Sequence, residues 1–173
     1  MSISMSTASL PILNSMLANL SHFLDKGAAY AEAKKFDAAN LVQSRLAPDM
    51  LPLSRQVQMA CDAAKNGMWR LTGIEPPRFE DTEKTIPELK ERIQKTLDWL
   101  ATLPVEKLDG TEASEVTFPI GKDRTRTMTR EDYLRHWMLP NFFFHVTTAY
   151  AVLRADGVEL GKSDYLAGSR AKG

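Results

Sequence analysis

Two polar side chains in the run Asn141-Phe142-Phe143-Phe144-His145 have the spacing best suited to chemistry. Residues four apart stand one above the other on a helix. Two histidines at that spacing clamp a metal ion. Here the first position is Asn141, a weak oxygen donor, so the pair is half a clamp. His145 can serve as a general base, as the sole imidazole ligand of a divalent zinc, nickel or manganese ion, or as a hydrogen-bond partner for a bound small molecule. It can equally be a core histidine satisfied by Asn141 or by another helix, since buried polar groups are normally paired. Gln56 and Asp49 fall near the start of an earlier helix. They can point into the mouth of a helical bundle or cap and solvate that helix, and capping is the favoured reading for Asp49.

The remaining candidates are weaker. His22 lies about 150° from the centre of its helix's apolar stripe and is expected to face solvent with Ser15, Asn19 and Lys26. His136 stands beside Asp132 and Arg135 and is expected on a solvated face. Cys61 sits among Val57, Ala64 and Met68 and reads as a small buried hydrophobe. Gly157-Val158-Glu159-Leu160-Gly161-Lys162-Ser163 is one residue short of a phosphate loop and follows a helix, not a strand, so it reads as turns.

Composition narrows the classes. The 173 residues hold 22 Lys+Arg against 22 Asp+Glu, three His and one Cys. That length fits a single domain. Zero net charge gives no electrostatic reason to expect nucleic acid or a membrane surface as partner. One Cys can form neither an intrachain disulfide nor a Cys-rich zinc site. The N-terminus has no basic region followed by an apolar run, and no stretch approaches a spanning helix, so the cytoplasm is the default compartment.

The elements that must position these residues are helical. Ile12, Leu13, Met16, Leu17, Leu20, Phe23 and Leu24 recur at three- and four-residue steps, predicting a helix over about 9–30 with Ser9 as its cap and a prolongation towards Lys35. Asp37 to Leu46 reads as a short helix. A second long helix is expected from Asp49 to Gly73. Thr85-Ile86-Pro87-Glu88 is a capping box opening a third long helix, to about Leu103. Val116, Phe118 and Ile120 alternate with polar residues before Gly121-Lys122-Asp123 and predict a small hairpin. A fourth long helix runs from Thr129 to about Arg154, and its halves before and after Pro140 centre their apolar faces roughly 140° apart on an unbroken α-helix. Pro140 should therefore kink it. Ser163 to Gly173 is polar and reads as a flexible tail. The pattern is that of an all-α, four-helix bundle with a long first crossover and a hairpin before the last helix, one domain over 1–173.

Three stretches carry a family resemblance: Ala47-Pro48-Asp49-Met50-Leu51-Pro52-Leu53-Ser54-Arg55-Gln56-Val57, Pro140-Asn141-Phe142-Phe143-Phe144-His145-Val146-Thr147-Thr148-Ala149-Tyr150, and Gly157-Val158-Glu159-Leu160-Gly161-Lys162. They resemble the bacterial domain-of-unknown-function family 1993, grouped with the DinB/YfiT-like metalloenzymes. The resemblance implies a DinB-like bundle. It also implies, for the wider superfamily, three His around a divalent metal, one from the second helix and an HxxxH pair from the last. Only His145 matches that set here, because Asn141 takes the paired position and the second helix has no His. The expected activity is small-molecule binding at an internal polar site around His145, with Asn141, Gln56 and Asp49 as further ligand-binding residues. The alternatives are a metal-dependent hydrolase or transferase using His145, and a structural protein whose surface forms a homodimer.

Overall fold

The computed structural model describes residues 3–170. Its first long helix, α1, spans Leu10–Lys34 and buries Leu13, Leu17, Leu20, Phe23 and Leu24 completely. Lys35 closes it in the left-handed conformation, with φ of 58°. Ser9 does not cap the helix as expected; its hydroxyl donates instead to the carbonyl of Met5, at 2.7 Å. The short helix α2 covers only Ala39–Gln43, and the Asp37 carboxylate accepts from the Ala39 amide at its entrance.

The next long helix, α3, spans Leu53–Thr72, and Gly73 ends it with a positive φ of 76°. It starts four residues later than the sequence suggested. Asp49 lies in an exposed turn before Pro52, so it neither opens nor caps α3. The physical reason is Pro52, which holds the chain extended at the helix entrance, with ψ of 167°. Helix α4 spans Ile86–Leu100 and begins with the expected capping box: the Thr85 hydroxyl accepts from the Glu88 amide while Glu88 accepts from the Thr85 amide. A segment without regular structure, 73–85, joins α3 to α4.

The hairpin forms as predicted. Strands β1 (Glu115–Pro119) and β2 (Thr125–Thr129) pair antiparallel, with Thr117 opposite Thr127. Val116 and Phe118 of β1 turn inward, and the Phe118 ring packs 4.7 Å from that of Tyr133 and 5.0 Å from that of Trp137. The small sheet thus lies against the start of the last long helical segment. The chain is mostly helical, and the long helices α1, α3 and α4, together with the last, enclose one continuous core.

That last segment breaks where its sequence is inconsistent. Helix α5 (Arg130–Tyr133) runs into a π-helical turn at Leu134–Met138, and α6 (Leu139–Ala155) continues from there. Pro140 has no N–H to give to the preceding turn, which makes a widened turn cheap at this point. One extra residue in a turn rotates everything after it back by roughly 100°. Most of the 140° offset between the two apolar faces is thereby removed, so Tyr133, Leu134, Met138, Phe142, Val146 and Leu153 all enter the same core. The close fit of this turn on α3 depends on Gly67, where an added Cβ would stand 2.4 Å from Met138 Cγ and Sδ.

The C-terminal segment is not a frayed tail as far as Arg170. Residues Lys162–Ala167 form a helix, α7, which packs on α1. The Tyr165 ring stacks on Phe23, with centroids 6.1 Å apart, and meets Tyr150 edge-on. Asn19, placed on the solvent face by pattern, is fully buried beneath this segment; it donates to the Tyr165 carbonyl and accepts from the Ser169 amide. His22 and Lys26 likewise turn to Asp164, each at 3.1 Å. The polar stripe of α1 is therefore a docking stripe for the chain's own end. Residues 171–173 of the expected tail lie outside the described residues.

Candidate functional site

Helices α3 and α6 pack along much of their length, and the contact brings His145 and Gln56 together. His145 is 7% exposed and Gln56 is 2% exposed. The Gln56 side-chain nitrogen donates to the Leu51 carbonyl at 3.1 Å. Since a carbonyl only accepts, the orientation of the Gln56 amide is fixed, and its Oε1 is left facing His145 Nδ1 at 2.9 Å. An oxygen acceptor at Nδ1 requires the proton to sit there. Neutral His145 is thus the Nδ1–H tautomer, with the lone pair on Nε2, and Nε2 has no protein hydrogen bond among the described residues. Burial pushes the imidazole below its usual pKa, which holds it neutral at physiological pH. The Phe144 ring stands edge-on to the imidazole at 5.2 Å and is itself 57% exposed.

This relay gives His145 a defined chemical capacity. A neutral imidazole with an oriented, unpaired Nε2 accepts a hydrogen bond or a proton, or donates its lone pair to an electrophile. A carbonyl oxygen behind Nδ1 raises the basicity of the ring, as such partners do behind catalytic and metal-binding histidines.

Two expected neighbours are elsewhere. Asn141 is exposed, makes no hydrogen bond to His145 and lines a separate cleft against α3. Asp49 is exposed in its turn and takes no part in the relay. The α3–α6 pairing therefore assembles Gln56 with His145 and leaves the other two outside. His136 lies on a solvated face, as expected, with its Nε2 3.8 Å from Asp132. Cys61 is fully buried, and burial pushes its thiol up to about 11. It behaves as a small hydrophobe, far from the thiolate form needed for reactivity.

The residues present do not fit the three-His metal centre implied by the superfamily. Among the described residues no three His, Cys, Asp or Glu side chains are grouped so that they could hold a metal ion. At the inner site the donors are one imidazole and one amide whose oxygen is already engaged by Nδ1. A neutral amide oxygen is a poor ligand for zinc or nickel.

A second polar cluster escaped the sequence reading. Arg92 of α4 is 2% exposed and is ringed by three carboxylates: Asp62 of α3, at 2.9 Å, and Asp81 and Glu83 of the 73–85 segment, both at 3.0 Å. Lys65, also buried, reaches Asp62 and the Pro77 carbonyl. Phe79 lies between the two cations, its ring centroid 3.7 Å from Lys65 Nζ and 5.3 Å from the Arg92 guanidinium. Arg55 pairs with Asp81 from outside. Burial alone would raise the Asp81 pKa, but the Arg55 and Arg92 guanidinium groups outweigh it and hold the carboxyl below its usual range. The cluster clamps an otherwise irregular segment to two helices. One signal for it existed: Lys65 lies at helical spacing between Cys61 and Met68 and so interrupts an apolar stripe, whereas Arg92 flanks the Leu89–Ile93–Leu97 stripe beside Thr96 and carries no such mark.

Comparison with known proteins agrees with this architecture. Residues 5–166 match the domain of unknown function DUF1993. The chain belongs to the DUF1993 family. It is also similar to a DinB family member protein from Shewanella denitrificans, known from a crystal structure, with 39% identity and a TM-score of 0.84 over 92% of this chain and 89% of that one. The DUF1993 chain thus has a DinB-like helical fold. No curated protein matches it.

Proposed function

We propose that this DUF1993 protein is a DinB-type four-helix bundle that binds a small molecule at the inner site of α3 and α6, with His145 Nε2 as the recognising atom. The observation that carries this reading is the one-sided pairing of His145. His145 is 7% exposed, yet its Nε2 is not among the sealed, unpartnered atoms of the described residues, so the small exposed part of the ring leaves Nε2 within reach of an outside partner. Here Gln56 commits Nδ1 as donor and leaves Nε2 as a free acceptor. A ligand with a hydroxyl, amide N–H or acidic C–H would complete the pairing, and Phe144 offers an exposed apolar flank for the rest of it. Under this reading Asn141 and Asp49 do not touch that ligand. The single buried Cys61 suits the reducing cytoplasm.

The test is a fragment titration of the full chain, followed by the His145 ring resonances in a 15N-histidine-labelled sample. Fragments carrying a hydrogen-bond donor should shift Nε2 selectively and saturably, and lose binding in His145→Phe. If no fragment perturbs Nε2, or if hits persist in a folded His145→Phe variant, the reading falls. Stoichiometric zinc, nickel or manganese in the purified protein, lost in that variant, would favour the metal-dependent hydrolase or transferase instead.

A further inference from the structure

A second polar site lies on the same pair of helices and does not use His145. Tyr133, Trp137 and Asn141 follow one another at four-residue steps through the π turn, and Asp62, Asn66 and Arg70 do the same along α3. These six residues line one cleft of about 100 Å³. The widened turn and the Gly67–Met138 contact hold its two walls in place.

The polar groups in this cleft are incompletely used. Arg70 donates one N–H to the Tyr133 hydroxyl, at 3.0 Å, and its guanidinium lies 5.8 Å from the Phe118 ring centre. No carboxylate pairs with it among the described residues, whereas the buried Arg92 has three. The Tyr133 oxygen accepts from Arg70, so its own O–H is free to donate, and burial raises its pKa and keeps it protonated. Asp62 engages Arg92 and Lys65 through Oδ1, and its Oδ2 makes no hydrogen bond with either. The side-chain amides of Asn66 and Asn141 make no hydrogen bond within the described residues.

We propose that this cleft binds a small organic carboxylate bearing a second polar group, a hydroxyl or an amine. The carboxylate meets the Arg70 guanidinium and the Tyr133 O–H, and the second group meets Asn66, Asn141 and Asp62 Oδ2. A planar guanidinium fork beside a hydroxyl donor matches a carboxylate. The Asp62 charge in the same cleft disfavours a dianion such as a phosphate ester and favours a donor group at that end. Asp62 and Arg70 are two helical turns apart, roughly 12 Å along the axis, which suits a short chain substituted at its far end. The indole of Trp137 covers its methylene groups.

The probes are 4-hydroxybutanoate and 4-aminobutanoate, titrated into the full chain and followed by the Asn66 and Asn141 side-chain amides and the Trp137 indole N–H. Both probes should give saturable shifts that 1-butanol and sodium chloride do not give. Arg70→Met should weaken binding at least about tenfold, from loss of a charge-assisted contact. Tyr133→Phe and the exposed Asn141→Leu should weaken it severalfold, and Asn141→Leu decides the matter if Arg70→Met does not fold. His145→Phe should leave these affinities unchanged, so failure here and failure of the inner-site reading are separable. Absence of saturable shifts, an equal response to chloride, or unchanged affinity in Asn141→Leu and Tyr133→Phe would overturn the proposal.

Discussion

His145 Nδ1 and Gln56 Oε1 lie 2.9 Å apart across the α3–α6 interface, and the Leu51 carbonyl fixes the orientation of the amide between them. Protonation at Nδ1 follows from that geometry. Because burial lowers the imidazole pKa, the folded protein takes up the His145 proton only below the ordinary value of 6.5. The unfolded chain takes it up near that value. Between the two, the unfolded state holds more protons, so stability falls as pH falls through this window and is complete above it. Urea unfolding between pH 8 and pH 5 should show this slope, and His145→Phe should flatten it. An unchanged slope in the variant would assign the effect to other groups.

The Arg92 cluster makes a second prediction. Arg92→Leu leaves Glu83 without its buried cation, leaves Asp62 with Lys65 alone and frees Phe79 on one side. Breaking a buried pair from one side typically costs about 3 kcal/mol. The loss should appear in urea unfolding, with faster proteolysis within segment 73–85. A change below about 0.5 kcal/mol, the scale of ordinary surface substitutions, would mean that the clamp is ornamental.

Removal of the C-terminal helix supplies a third. Truncation after Gly161 strips Tyr165 from Phe23 and Tyr150 and uncovers Asn19, which loses its two backbone partners to water. A cost of about 2–3 kcal/mol is expected from the lost aromatic burial and the two lost hydrogen bonds. Thermal unfolding of the shortened chain should show a lower Tm. An unchanged Tm would restore the flexible-tail expectation.

Gly67→Ala tests the packing of the π turn. The new Cβ would meet Met138 Cγ and Sδ at 2.4 Å, and Met138 is 1% exposed, so its side chain must repack inside a filled core. The expected cost is about 1–3 kcal/mol. Met138→Ala in the same chain should recover part of it, which a double-mutant cycle would read directly. Additive effects would contradict the contact.

Much of this was legible in the residues. The apolar periodicity of α1, α3 and α4, the Thr85–Glu88 box and the Val116–Phe118 alternation each specified an element that formed. Gln56 and His145 were both recognisable as candidates, and the fold joins them. What remained hidden depended on which helices meet. Asn141 and His145 share a helix at clamp spacing, yet Asn141 belongs to a cleft against Asp62 and Asn66. His22 and Asn19 looked solvated because the segment that covers them is more than 140 residues away in sequence. The π turn was visible only as a conflict, since a single α-helical period could not place both halves of the last long helix in the core.

The most direct test of the central claim is a long-range 1H–15N correlation spectrum of His145 in the full chain at pH 7. Nδ1 should carry the proton and Nε2 should be pyridine-type with a free lone pair, with tautomers mixing in Gln56→Leu. A proton on Nε2 in the parent chain, or a spectrum unmoved by Gln56→Leu, would contradict that claim.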